Sequence, residues 1–532
     1  MKKHRFHNRK GIFPFLVFSI VTGFLSAVIG TAFKLGAEGV IHLSGAIYGA
    51  VRQFPLWIPA LVIGAAVLGL LASFVVSVAQ SCKGGGIPSS VAAVRGITEL
   101  NWLPSALVLP FSALLTFFGG LPLGTEGPCV QMGTAIGDGI IQCASGKKHR
   151  VWRRYVMTGG AAAGFSIATA SPISAILFSV EELHKKCSPL LLAGVCVSVM
   201  TAQSTAEIFA LLGIGSVKLF HFPEMSALSI KFFFAPVLVG IVCGICSALF
   251  TQCYHKIGRL VRVVLQKLSI QLLFPVLFAC VAILGFFLPD TLGTGHALVD
   301  EVFQAPTSWY LLILVFLIRA VTMMVANTAG TTGGVFLPTL AFGAIVGALS
   351  AEGMIALGLM ESQHYGLLVI LGIAAFLGAT SRIPITACVF AMEAMGGIHN
   401  GLVIVIATTI AYLVAKLSGV EDFTDAVIEA KEHAFIKGKV LTVIVVPLTV
   451  TEDSFILGKH PRDILWPHGC AVVSVKRVSD HDNNEELQLG DIITLRYKTY
   501  HPAITAREIC ALAGEQSESV QHVMVPEDSA EA

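Results

Sequence analysis

Two stretches of this chain repeat one another. Around Pro128 it reads GTEGPCVQMGTAIG and around Pro338 it reads GGVFLPTLAFGAIVG, so that Gly124, Pro128, Gly133 and Gly137 fall on Gly334, Pro338, Gly343 and Gly347 at one constant offset. A second pair keeps that relation to within two residues: SPISAILFSVEEL from Ser171 and IPITACVFAMEAM from Ile383 place Pro172, Ile173, Ala175, Phe178 and Glu181 on Pro384, Ile385, Ala387, Phe390 and Glu393. Chance likeness between apolar helices does not hold an offset across two separate blocks. The chain is a fused duplication, and membrane proteins built from two related halves are mostly transporters or channels.

Composition agrees with a membrane setting. Hydrophobic residues make up 55% of the 532 and charged residues 13%, with a mean hydropathy of +0.79, where soluble domains carry about 25% charge. Runs long enough to cross about 30 Å of hydrocarbon include Gly11 to Ala32, Leu56 to Ala79, Phe232 to Phe250 and Leu272 to Leu288. The 52 glycines and 22 prolines predict helices broken partway, and broken backbone at membrane depth survives only where protein or a watery cavity satisfies it. The basic start MKKHRFHNRK precedes an apolar run too long for a signal peptide; with GKKHRVWRR (Gly146 to Arg154) and HKK (His184 to Lys186) it marks the cytoplasmic side, placing both termini there in a multi-pass cell-membrane protein. The net charge of +2 gives no footprint for a nucleic-acid partner. The 12 cysteines show no disulfide framework, and the mid-helix pair Cys243 and Cys246 reads as small-residue helix packing. From about Gly419 the texture becomes that of a small soluble α/β module. TVIVVPLTV, AVVSVKRV and DIITLRYKTY read as strands, HPRDILW and TAREICALAG as short helices, and IEAKEHAFIKGK as a charged linker.

Each GxxxP stretch has glycines before a helix start and a proline suited to the first turn. Such a terminus offers free backbone N–H groups and the positive end of the helix dipole, an anion site without a cationic side chain. Gly84, Gly85, Gly86, Ile87 and Pro88 fit the same description, and three such starts can converge at a repeat interface. The plainer use of the glycines is close helix packing. No HExxH or GxSxG motif for an enzyme appears, and no acidic or carbonyl ring for a cation channel.

GGGIP, GTEGP and GGVFLP, in that order, resemble the three anion-coordinating signatures of the CLC family of chloride channels and chloride/proton exchangers, over about residues 15 to 430. The resemblance implies an all-α polytopic fold of tilted and broken helices in two inverted repeats (about 15–215 and 230–430) within a 1–430 transmembrane domain. It implies a homodimer, no cofactor, and chloride and protons as cargo, with passive voltage- or pH-gated conduction, or transport of fluoride or nitrate, as alternatives. The anion would meet Gly84, Gly85, Gly86, Ile87 and Pro88, then Gly124, Thr125, Gly127 and Pro128, then Gly334, Val335, Phe336, Leu337 and Pro338. Glu126 resembles the gating glutamate; its alternative is a helix-capping carboxylate. Glu182 sits where exchangers carry the internal proton-transfer glutamate, while Glu181, paired with Glu393 by the repeat, has a structural duty. Arg319 pairs with a carboxylate or with helix carbonyls, and His296 is a loop residue.

Three departures from the family pattern stand out. Gly85 replaces a serine, Thr125 replaces an arginine, and Thr424 stands for the tyrosine at the inner side of the central site, with Phe423 there if the alignment shifts by one. Residues 431–532 resemble the C-terminal subdomain of RCK-type regulators of potassium transport, which implies either a site for a small regulatory ligand or a dimer brace.

Overall fold

The structure, a computed structural model, describes all residues except 1, 145–146, 216–217, 224, 437–440, 479–484, 501, 515–522 and 525–532. The side chains of the basic N-terminal run lie outside the described residues, as do Gly146 of the second basic cluster and the end of the charged linker. Among the described residues nine helices are long and apolar enough to cross a membrane, from Ile12–Gln53 to Ile398–Leu417. They show the inverted logic of lipid-solvated helices. The helix Ile58–Val78 turns Leu70, Leu71 and Phe74 outward and buries Ala65, Gly69, Ala72, Ser73 and Val76. Against that small-residue face sits the helix Ile270–Phe287, so close that a methyl group on Gly69 would lie 2.6 Å from the Phe274 carbonyl oxygen. Small residues let backbones approach where lipid supplies no hydrophobic drive.

The duplication appears as a matched order of helices. Trp102–Phe118, Glu126–Cys143, Arg153–Thr169, Pro172–Phe178 and Pro189–Leu211 correspond to Trp309–Ala329, Phe336–Ala356, Tyr365–Thr380, Pro384–Ala394 and Gly401–Leu417. The repeated glycines Gly133 and Gly343 do the same work in each half. A methyl group on Gly133 would lie 2.0 Å from the Gly160 carbonyl oxygen, and one on Gly343 would lie 2.7 Å from Ile373 Cα. Backbone occupies the space that a side chain would need.

Contacts between equivalent residues set the orientation of the halves. Gly124 donates its N–H to Gly334 (2.6 Å) and receives one back (2.8 Å), an isolated antiparallel bridge between repeat partners. The Glu181 carboxylate accepts from the N–H groups of Ile385 and Thr386, while Glu393 accepts from those of Ile173 and Ser174. Each half therefore caps the other's equivalent helix, and residue i meeting j while j meets i is the mark of a two-fold axis. The halves are inverted about that axis. Hydrogen bonds to a charged group contribute about 1.5–3 kcal/mol each, so these carboxylates are fasteners of the interface.

Beyond the helix Phe423–Ile436, which takes up most of the charged linker, the chain forms an antiparallel sheet. Strands β1 (Thr442–Thr449), β2 (Cys470–Lys476), β3 (Ile492–Thr499) and β4 (Val523–Met524) lie in the order β2-β3-β1-β4. Alternation along β3 buries Ile493, Leu495 and Tyr497 against Val446, Leu448 and the helix Pro502–Ala513. HPRDILW is helical only in part: Pro461–Asp463 makes one 3₁₀ turn, and Ile464 is already extended. That irregular segment clamps the module to the membrane helices. Tyr155 Oη accepts from the Leu465 N–H, Arg154 donates to the Trp466 carbonyl and the Glu508 carboxylate, and Trp152 packs edge-on against Phe455.

Candidate functional site

Three helix starts meet where the halves touch. The helix Ile87–Arg95 follows Gly86, Glu126–Cys143 follows Thr125, and Phe336–Ala356 follows Val335. A methyl group placed on Gly127 would lie 2.7 Å from Gly334 Cα and 2.9 Å from Gly86 Cα, so all three glycine motifs share one point. Gly84 donates to the Gly330 carbonyl, drawing the first loop onto the second half. Gly86 has φ 155° and ψ −160°, a region essentially closed to side-chain-bearing residues, which is why the turn into its helix is glycine. Ile87, Pro88, Pro128, Phe336, Leu337 and Pro338 are all buried around this junction.

Gly85 is boxed in as well. A Cβ there would lie 2.5 Å from Leu109 Cδ1 and 3.1 Å from Gln131 Oε1. Gln131, fully buried, positions the first loop and was not singled out in the sequence: its Oε1 accepts from the Gly86 N–H (2.8 Å) and its Nε2 donates to the Ser81 carbonyl (2.8 Å). One amide from the helix that begins at Glu126 thus holds both ends of the first loop. Its sequence signal was a lone polar residue in the glycine-rich run GPCVQMG, five positions past Glu126.

Glu126 has no exposed surface. Its carboxyl lies beside its own N–H and that of Leu337, above Gly124, without an aligned hydrogen bond to either oxygen. A capping carboxylate would close such bonds, as Glu181 and Glu393 do. Burying an ionised carboxylate unpaired is expensive, so this group sits at the positive ends of two helices while remaining unfastened. The basic residues whose field bears on it are Lys34 and, when protonated, His296.

Glu182 lies elsewhere, on the π-helical turn Ser179–His184 that continues the helix Pro172–Phe178. It is 2% exposed and within hydrogen-bonding reach of the Thr424 side chain. Arg95 donates to the Glu182 and Leu183 carbonyls (2.7 and 2.8 Å) and to Asp425, Lys185 pairs with Asp425 and lies 3.6 Å from Asp422, and Thr158 hydrogen-bonds His184. π-turns recur at functional sites. Arg95, Asp422 and Asp425 were not singled out in the sequence, although DFTDAV opposite a basic HKK carried the pattern. Phe423 turns away, edge-on to Tyr254, so the structure brings Thr424 to Glu182. The Phe178 ring, one residue before the π-turn, stacks on Phe165, which meets Phe336, one residue before Leu337, edge-on.

Arg319 is fully buried and donates to the carbonyls of Asp290, Leu292 and Gly293. It holds the loop in front of His296, which opens the helix His296–Gln304 and pairs with Asp300 at 3.2 Å. Cys243 lies buried, its thiol on the Gly372 carbonyl.

The family model described as voltage gated chloride channel matches residues 63–416. The chain belongs to the CLC family. Three solved structures share its fold: a slow cyanobacterial Cl⁻/H⁺ antiporter (21% identity, TM-score 0.72, covering 79% of this chain and 98% of that one), a eukaryotic CLC transporter (20%, 0.67, 79% and 74%) and a CLC-type fluoride/proton antiporter (20%, 0.63, 76% and 96%). This CLC chain is accordingly a multi-pass membrane protein and an anion transporter of that family.

Proposed function

We propose that this chain exchanges chloride for protons, with Glu126 as the gate shared by both. The observation that carries this reading is the buried, unfastened Glu126 carboxyl at the positive ends of the helices Glu126–Cys143 and Phe336–Ala356. Ionised, it occupies the place that an anion would take and competes with it; protonated, it loses the attraction of the helix dipoles and leaves the place to chloride. The backbone N–H groups at Gly127, Phe336 and Leu337 are suited to a desolvated halide because they coordinate without trapping it as a fixed guanidinium would. Protons reach Glu126 from the side of the C-terminal module through Glu182. The stretch between the two carboxyls is crossed on transient water beside the rings of Phe178, Phe165 and Phe336. Thr424 offers a hydroxyl to Glu182 but not the bulk of a tyrosine, which makes the inner closure loose and the coupling slack.

The same reading assigns the module, with its resemblance to RCK-type subdomains, a bracing or regulatory role through its clamp on Arg154 and Tyr155, and assigns the homodimer expected of the family. Uptake of radiolabelled chloride into proteoliposomes loaded with unlabelled chloride tests the anion half directly. Saturable uptake that competing bromide or nitrate reduces is expected; uptake no faster than in protein-free vesicles would defeat it.

A further inference from the structure

The helix Arg153–Thr169 starts against the module at Arg154 and ends, 17 residues on, about 25 Å away at 1.5 Å per residue. At that far end a cleft opens beside its last turns, lined by Thr31, Lys34 and Glu38 of the first helix, Ser166, Ala170, and Gln203 of the helix Pro189–Leu211. It has room for a water-sized body. Lys34 is half-buried within a membrane-crossing helix and makes no ion pair with a described residue. Ionisable residues in such helices usually mark an ion pathway and have a partner. The polar groups beside it, Thr31 Oγ1 and the Ser166–Gln203 hydrogen bond (3.2 Å), do not neutralise it. Its field bears on the Glu126 carboxyl. Position 125, next to the gate, is a threonine with no charge to offer.

We infer that this cleft is an outer capture site for a small inorganic anion, with Lys34 as its cation and Thr31 and Gln203 as neutral donors, feeding the gate from the side opposite the module. The inference rests on the transport reading above and supplies the attraction that Thr125 lacks. A cation in a low-dielectric cleft raises the local concentration of anions, here against the opposing Glu38 in the same lining, so the site acts on the chloride concentration needed for transport and not on the maximal rate. Glu38, one turn beyond Lys34 and exposed, opposes it.

The test is chloride flux into proteoliposomes as a function of chloride concentration for the full-length wild type, Lys34→Gln, Lys34→Arg and Glu38→Gln. Lys34→Gln should raise the half-saturating chloride concentration about ten-fold with the maximal rate retained, Lys34→Arg should restore it, and Glu38→Gln should shift it the opposite way. Half-saturation unchanged in both Lys34→Gln and Glu38→Gln overturns the outer site while leaving the transport reading standing. Loss of flux at every concentration in Lys34→Gln, not restored in Lys34→Arg and with Glu38→Gln unshifted, also overturns it. A wild type that carries no chloride defeats the transport reading itself, and the site with it.

Discussion

Glu126→Gln should stop proton movement and leave chloride flux running. Glutamine matches glutamate in size, so the three helix starts around Gly86, Gly127 and Gly334 have no cause to shift, but it has no proton to exchange and no charge to compete with an anion. The neutral amide mimics the protonated gate. Proton flux is expected to fall by about a hundred-fold or more, the scale on which a positioned acid–base group contributes, while chloride passes at a rate no longer dependent on pH. A pH electrode outside proteoliposomes reads the first and a chloride electrode the second. Continued chloride-driven proton uptake in Glu126→Gln would remove this residue from the mechanism.

Glu182→Gln should separate the same two fluxes for a different reason. Glu182 stands on a π-turn held by Arg95 and faces Thr424. Removing its titratable group cuts the proton supply by a comparable factor, about a hundred-fold, but the anion path keeps its gate, so chloride flux should still respond to pH through Glu126. That retained pH response distinguishes it from Glu126→Gln. The Arg95 bonds go to backbone carbonyls, so the turn should survive the substitution. Intact proton transport in Glu182→Gln would assign the inner proton entry to another group, with Asp422 and Asp425 the nearest carboxylates in the cluster.

The duplication and the three glycine motifs were legible because each is local: a constant offset, or a run of five residues with a proline. Even the fastener role of Glu181 could be read, since its repeat partner Glu393 implied a duty common to both halves, and the reciprocal caps bear this out. What could not be read depends on tertiary contact. Arg95 and Asp425 meet across 330 positions, and neither residue type is unusual in its own segment. Gln131 looks like any polar helical residue until Gly86 and Ser81 are placed against it. Lys34 sits in a long apolar run with only Glu38 one turn on, and only later helices turn its surroundings into a cleft. In HPRDILW the His-Pro start gives only one turn, and docking of Leu465 and Trp466 against Tyr155 and Arg154 stops it there. β4, two residues long, is too short to carry any alternation.

The most direct test of the account is made on the wild type. Proteoliposomes are loaded with concentrated chloride and diluted into low chloride at equal pH on both sides, with electrodes for both ions outside. Chloride running out should drive protons inward against a growing pH gradient, alkalinising the medium, and a proton ionophore should collapse that gradient. Chloride efflux with no movement of protons would contradict the account, leaving a conductive anion pathway with Glu126 as a carboxylate that does not exchange.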